Sequence, residues 1–342
     1  MVPGAFFATQ KWRCILSFFI LLCAHHALRS AALESRKTGY LNPLPRSRFR
    51  AVTVLHKPCS SLGYTLTNFA SNLGPEWPIL IMHNENVLPH LKRNKIARLQ
   101  KKLGLLHTAS LERNGFPSLS AANSSSYSKL LSSTRFWSAL QAQHVLIFQT
   151  DSVLCSMSPW TIDDFLRYDY IGAPWINRWY GMDIGNGGLS LRKTKTMIRI
   201  TKGFKFNETE NEDIYFARGI YDLAARDPSI VVPPVHVASK FAYEAGNLPR
   251  VTSFGVHKTP LMQVDKEAIA KTCPEAAASV WRGCQVETYE EFKTMARGGA
   301  VAQITRGGGG DRRFLAAEDA LNVLDFEKDY SMTEQMPLRR GS

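Results

Sequence analysis

The chain has 342 residues, 44% of them apolar, and a formal charge of +13. That is enough for one sizeable buried core, and it excludes a disordered chain. The charge resembles a nucleic-acid footprint until it is located. The first fifty residues hold eight Lys/Arg against one acidic residue, Glu34, and the remaining +6 is spread over the other 292 positions. No basic helix with interleaved aromatics follows, so nucleic acid is not an expected partner.

Lys11 and Arg13 precede an apolar run, Cys14 to Ala24, which is followed by His25 and His26. This is the pattern of a signal peptide, with Ser30-Ala31-Ala32 as a small-residue cleavage site. Extended through Leu28, the same run reads as a short signal anchor that holds the amino end in the cytoplasm and tethers the protein to the membrane. Both readings, assigned to residues 1–31, deliver the rest of the chain to the secretory pathway: as a type II membrane protein of the Golgi or ER lumen, or as a secreted protein. Residues 32–50 are polar and basic with Pro43 and Pro45, which suits a flexible stem.

Ordered structure is expected from Ala51. Ala51 to Leu55 reads as a strand and Tyr64 to Leu73 as a helix; Trp77 to His83 is the next strand and Val87 to Leu103 the next helix. Leu105 to Leu111 reads as a short strand, and a Ser/Asn-rich loop leads to a helix from Tyr127 to Leu140. The strand after it runs from His144 to Asp151. This alternation predicts an α/β domain with a Rossmann-like, mostly parallel mixed sheet flanked by helices on both faces.

The second half is less regular. Trp160 to Tyr168 reads as a helix, Gly188 to Arg192 as a strand, Asn211 to Arg218 as a helix start and Val231 to Ser239 as a strand. The domain is assigned to residues 51–265, a C-terminal extension to 266–300, and a disordered tail, with its Gly307 to Gly310 run, to 301–342.

Two glycosylation sequons, Asn123-Ser124-Ser125 and Asn207-Glu208-Thr209, agree with a lumenal address. Four cysteines lie past the N-terminal segment: Cys59, Cys155, Cys273 and Cys284. They read either as two disulfides, with Cys273 and Cys284 the expected pair because they are close in sequence, or as four buried thiols. Their spacing has no CxxC pair, which argues against structural zinc.

Four polar signatures carry the chemistry. Asp151 falls at the carboxyl end of a buried strand, where α/β sheets bind ligands. A carboxylate there suits a divalent cation held against a diphosphate, although it would equally cap a helix starting near Ser158. Thr150 and Ser152 flank it. Asn186-Gly187-Gly188 offers close backbone approach to a substrate or a plain tight turn, with Arg192 four residues on. Glu212 and Asp213 open a helix and supply a candidate general base. His257 is a candidate late metal ligand and Lys258 a phosphate contact. Asp169 and Trp175 lie in an aromatic stretch suited to sugar stacking or to core packing.

The segments Phe148-Gln149-Thr150-Asp151-Ser152, Tyr168-Asp169-Tyr170-Ile171-Gly172-Ala173-Pro174-Trp175, Asn186 to Arg192, Asn211-Glu212-Asp213 and Gly255-Val256-His257-Lys258 together resemble the DUF5672 family, whose members look like GT-A-fold glycosyltransferases. The resemblance spans roughly Ala51 to Pro260. It implies a single GT-A-like domain that transfers a sugar from a nucleotide-sugar donor to an acceptor hydroxyl on a glycan or other molecule, with Mn2+ or Mg2+ as cofactor. Gln149-Thr150-Asp151 stands where that fold carries a DxD motif and keeps only its last acid. Asp151 and His257 then become the implied metal ligands, Gly187 and Gly188 line a sugar, and Asp213 or Glu212 is the base of an inverting transfer. The missing first acid leaves a second reading, a degenerate domain that binds glycans or nucleotide sugars without turnover.

Overall fold

The computed structural model describes residues 44–120, 124–175, 182, 185–244, 252–258 and 271–278. All lie in the first of two units, Met1–Gln285, and none in the second, Val286–Ser342. The signal or anchor segment, the stem up to residue 43, the first sequon's Asn123, Trp179, Tyr180, Cys284 and the tail fall outside the described residues. Among the described residues no helix is long and apolar enough to cross a membrane.

The described strands are β1 (Ser47–Leu55), β2 (Ile79–His83), β3 (Leu106–Ser110), β4 (Ala142–Phe148), β5 (Ser152–Leu154), β6 (Tyr170–Gly172), β7 (Leu189–Lys193), β8 (Ala242–Tyr243) and β9 (Gly255–His257). Six form the main sheet in the order β3-β2-β1-β4-β7-β6, and the other three form a small sheet in the order β5-β9-β8. β3, β2, β1 and β4 run parallel, and only β7 opposes its neighbours in the main sheet. The expected mostly parallel mixed sheet is therefore what the chain forms.

The helices are α1 (Leu62–Leu73), α2 (Leu88–Arg93), α3 (Lys95–Leu103), α4 (Ser124–Leu131), α5 (Thr134–Ala139), α6 (Thr194–Gly203), α7 (Glu212–Arg226), α8 (Val235–Phe241) and α9 (Pro274–Ala278). They cover both faces of the main sheet because the side chains of a strand alternate. In β4, Leu146 and Phe148 join the core that holds Leu62, Leu66, Phe69 and Leu73 of α1. Val145 and Ile147 join the opposite core, with Trp137 of α5, Met197 and Ile200 of α6, and Phe216 and Ile220 of α7. The Phe69 and Phe148 rings stack with centroids 4.0 Å apart. Each fully buried side chain of this size contributes about 1.5–3 kcal/mol. α1 stops at Gly74, whose φ of 81° favours glycine and whose N–H bonds the Ala70 carbonyl.

Several local expectations are corrected. The Val87 to Leu103 helix breaks at Asn94, whose side chain caps α3 by accepting the Ala97 N–H. The Tyr127 to Leu140 helix breaks before Ser133, which caps α5 by accepting the Phe136 N–H. In both cases a short polar side chain competes for the backbone bonds that a continuous helix needs. Trp160 to Tyr168 holds only a 3-10 turn, Ile162–Phe165, which the reciprocal Thr161 and Asp164 capping box opens. The expected strand over Val231 to Ser239 gives way to α8, which starts after Pro234. β1 starts at Ser47, so the end of the expected stem is already sheet.

The cysteine pairing is corrected as well: Cys155 bonds Cys273, across a separation of 118 residues. Cys155 follows β5, and Val153, Val256, Cys155 and Cys273 form a small core of their own. Packing between β5 and β9 decides the pair, rather than closeness in sequence. Cys59 is also disulfide-bonded.

Candidate active site

β4 ends at Phe148, three residues earlier than expected, and Gln149-Thr150-Asp151 carries the chain from the large sheet to the small one. Three ties fix this crossing. The Gln149 N–H donates to the Gly188 carbonyl at 2.8 Å, the Thr65 hydroxyl of α1 donates to the Thr150 carbonyl, and the Lys258 N–H donates to the Asp151 carbonyl at 3.1 Å. Ser152 pairs with His257 in the β5–β9 ladder, so the His257 ring stands beside Asp151. β8 pairs parallel with β9, Tyr243 opposite Val256, which brings Glu244 level with His257.

The imidazole of His257, 1% exposed, is the centre of the cluster. Asp151 Oδ1 lies 3.4 Å from its Nε2, and Gln149 Oε1 lies 3.1 Å from the same nitrogen. Glu244 Oε1 lies 3.3 Å from Nδ1, on the other side of the ring. The Lys258 ammonium reaches Glu244 Oε1 at 2.6 Å, and the Asn186 amide donates to Glu244 Oε2. Burial disfavours the Asp151 and Glu244 anions, but His257 outweighs it and holds both carboxyls below their ordinary range. Burial likewise opposes a charged imidazole, and the Asp151 and Glu244 carboxylates on either side of the ring overcome it and raise His257.

The glycine pair is explained by packing. A Cβ on Gly188 would overlap the His257 ring, and one on Gly187 would overlap the Glu212 carboxylate. The room that both glycines clear is taken by the protein's own side chains, so packing alone requires glycine at 187 and 188. Asn186 holds the turn by accepting the Gly188 N–H at its Oδ1.

Behind the turn lies a buried ion pair. Arg192 donates to Glu212 through two nitrogens, at 2.9 and 3.2 Å, to the Ser190 hydroxyl through Nε, and to the Gly187 carbonyl. Rings of Tyr170, Phe216 and Trp137 surround the guanidinium at 4.8–5.7 Å. Arg192 and Glu212 are thus fully committed to each other, so neither is placed as a substrate contact or a base.

Asp213, the second residue of α7, is the acid not committed to an ion pair; its Oδ1 accepts the Ile214 N–H at 2.8 Å. Burial pushes its pKa up to about 6, the Glu212 charge adds to the rise, the Ile214 N–H and Arg192 oppose it, and Glu244 raises it further. A carboxyl in that range suits proton abstraction near neutral pH.

Other expected positions are not brought together here. Ser152 is buried and faces the Gly188 carbonyl at 3.3 Å. Thr150 is half-buried beside the crossing, where its carbonyl is what Thr65 binds. Asp169 sits at the amino end of β6, next to Lys193, and therefore at the end of the sheet opposite Asp151. There it accepts from Thr196 Oγ1, Lys193 Nζ and the Val231 N–H, which makes it a structural acid rather than a partner for sugar hydroxyls. Tyr168 and Tyr170 are buried in the two cores. Trp175 packs over Gly185, just before the glycine turn.

Glu244 carries no sequence signature: it follows a two-residue strand, and only the β8–β9 pairing delivers it to His257. Gln149 was legible only as a lost acid.

The donor set fits a small divalent cation. Asp151 Oδ1 is buried without a hydrogen bond, and it clusters with His257 Nε2 and Gln149 Oε1. The two oxygens within 3.1–3.4 Å of that nitrogen need positive charge between them and it, from a proton on Nε2 or from a cation. Adjacent ligands of an octahedral Mg2+ stand about 3 Å apart. Among the described residues no group of three or more His, Cys, Asp and Glu side chains could hold a metal, so most of the shell would be filled by Gln149, water and the ligand's own oxygens.

A family model described as protein of unknown function, DUF5672, matches residues 110–259, a later start than the Ala51 expected. No curated protein matches the chain in sequence. Similar solved structures include the bifunctional glycosyltransferase WbbM in apo form, 12% identical with a TM-score of 0.38 over 70% of this chain and 46% of its own. Another is the mannosyltransferase PcManGT from Pyrobaculum calidifontis in complex with GDP-Man and Mn2+, at 13% identity and a TM-score of 0.34 over 83% of this chain and 91% of its own. A third is the apo form of the glycosyltransferase GlyE from Streptococcus pneumoniae TIGR4, at 9% identity and a TM-score of 0.35 over 74% and 64%. The chain thus spans less than half the length of the WbbM structure. The matched residues 110–259 carry Asp151, the glycine turn, Asp213, Glu244 and His257.

Proposed function

We propose that the chain is a GT-A-like glycosyltransferase of the secretory pathway, which moves a sugar from a nucleotide-sugar donor to an acceptor hydroxyl with inversion. The observation that carries the reading is the meeting of Asp151, His257 and Gln149 at the carboxyl end of β4, with Asp213 at the start of α7 within reach of the charge on Glu244, which contacts His257. In the step, the acceptor oxygen forms a bond to the anomeric carbon as its proton passes to Asp213. The bond from that carbon to the phosphate oxygen breaks, and the nucleoside diphosphate leaves with the electron pair. Asp151 and His257 would hold Mn2+ or Mg2+, which when bound offsets charge on the leaving diphosphate. The disulfide bonding of Cys155, Cys273 and Cys59 supports an oxidising lumen, and the exposed sequon residue Asn207 is accessible to glycosylation there.

The test is sugar release and transfer across a panel of nucleotide sugars with Mn2+. Wild type is expected to turn over, with a rate that rises as pH passes about 6 and Asp213 loses its proton. Asp213→Asn and Asp151→Ala are each expected to lose at least 100-fold. Activity indifferent to both substitutions ends the residue assignment. The Gln149 side chain in place of an acid supports the other reading, a binding protein, which would show donor or glycan binding by calorimetry with no turnover at any metal concentration.

A further inference from the structure

The stretch from Asn86 to Leu111 holds six Lys/Arg and no Asp or Glu, and it contains no Phe, Tyr or Trp. Folding sorts these residues by face. α3 turns Ala97 and Gln100 inward, and the Gln100 amide donates to the Leu66 carbonyl of α1 at 2.9 Å. Lys95, Arg98, Leu99, Lys102 and Leu103 stand three or four residues apart on the opposite face, and all five are exposed. Lys92 and Arg93, at the end of α2, are exposed just ahead of them.

Two properties of this face are unusual together. Leu99 and Leu103 are 53% and 62% exposed; among the described residues the other exposed large apolar side chains are Met157 and Val235, which do not lie one helical turn from a second one. Around the leucines, Lys92, Arg93, Lys95, Arg98 and Lys102 have no acid as partner among the described residues. A soluble polyanion would neutralise these cations and leave both leucines in water. A nucleic acid or a glycan would in addition use aromatic faces for stacking, and this stretch has none. An anionic bilayer surface satisfies both halves. Its phosphates take the ammonium and guanidinium groups at the ends of long stems, and the leucines enter the boundary between headgroups and acyl chains.

The position of the face agrees with that occupant. Ile79 pairs with both Ala51 and Leu106, so β1 and β3 start at the same end of the sheet. α3 ends three residues ahead of β3, which places Leu103 at the end where the chain enters β1. Upstream of that entry, residues 29–43 lead back to the apolar run that closes at Leu28. A linker of that length spans at most about 50 Å. With the run read as a signal anchor, a weak surface contact gains from the high effective concentration of lipid.

We infer that the exposed face of α2 and α3 is a membrane-docking surface: its five unpaired cations bind the phosphates of anionic phospholipids, and Leu99 and Leu103 insert at the interface. The inference goes beyond sugar transfer and shares no residue with the Asp151 site, so either reading can fail without the other.

The test uses the full-length chain carrying a photoreactive diazirine side chain at position 99 or, as a control, at position 157. Each protein is placed on phosphatidylcholine vesicles with and without phosphatidylserine, and lipid adducts are read by mass spectrometry. Position 99 is expected to crosslink to lipid on the anionic vesicles, and the equally exposed position 157 is not. The triple variant Lys95→Gln, Arg98→Gln, Lys102→Gln removes only side chains that stand in water. It is expected to lower crosslinking at position 99 by about 100-fold, at about fivefold per cation. Raised salt is expected to lower it as well.

Three results overturn the inference. One is the absence of lipid adducts at position 99 on vesicles that retain the chain. Another is equal crosslinking on neutral and anionic vesicles, or by the triple variant and wild type, which assigns the contact to tethering alone. The third is protection of position 99 by heparin with no lipid adduct, which gives the face to a soluble polyanion.

Discussion

The two sides of the Asn186-Gly187-Gly188 turn bury charge in opposite ways. Under Gly187, Arg192 and Glu212 form a closed pair in which the guanidinium makes four bonds and is ringed by aromatics. Under Gly188, His257 faces two carboxylates with Asp151 Oδ1 left unbonded. A saturated network fixes a shape, whereas an unsaturated one has capacity for a ligand. The lesson is that burial of an acid says little about function until its partners are counted.

The contrast is broken most severely from the closed side. Arg192→Met leaves Glu212 charged, buried and unpaired, and is expected to cost about 3–5 kcal/mol in urea unfolding. The double variant Arg192→Met with Glu212→Leu should recover much of that loss, and a single variant as stable as wild type would refute the saturated pair.

Asp169, saturated like Glu212 but at the far end of the sheet, supplies the next comparison. Asp169→Ala strands Thr196, Lys193 and the Val231 N–H, and is expected to cost about 1–3 kcal/mol. Its Mn2+ affinity should match wild type; a change there would show that the two ends of the sheet are coupled.

Asp213 gives the smallest effect, with the opposite sign. Its pKa rises from 3.8 to about 6 on folding, so the cost to stability builds as pH rises from 3.8 towards 6, is fully present above that, and vanishes only well below pH 3.8, where the group is protonated in both states. Glu212, Arg192 and Glu244 are the charges that act on it. Asp213→Asn is therefore expected to stabilise the fold at pH 8 by about 1–2 kcal/mol, allowing for partial solvent exposure, and by nothing well below pH 3.8. A variant less stable than wild type at pH 8 would remove the strained acid from the site, and with it the preferred base.

Much of the main sheet was legible, because runs such as Val145 to Phe148 and Ile79 to Met82 are apolar on both faces and a helix covers each face. The breaks at Asn94 and Ser133 were not read, although each carries its signal in a capping side chain. Asp151, His257 and Asp213 were visible as polar residues at the ends of apolar runs. The commitments of Arg192, Glu212, Asp169 and Ser152 were not, since a polar residue looks the same in sequence whether its partners are protein or ligand.

Sequence by itself determined the α/β class and the place of Asp151 after a buried strand. Tertiary structure alone decided what the glycines make room for, which cysteine meets Cys155, and that Glu244 backs His257. The physical reason is range: strand periodicity and capping act over a few residues, whereas Gly188, Glu244 and His257 meet only when a three-stranded sheet folds against the end of a six-stranded one.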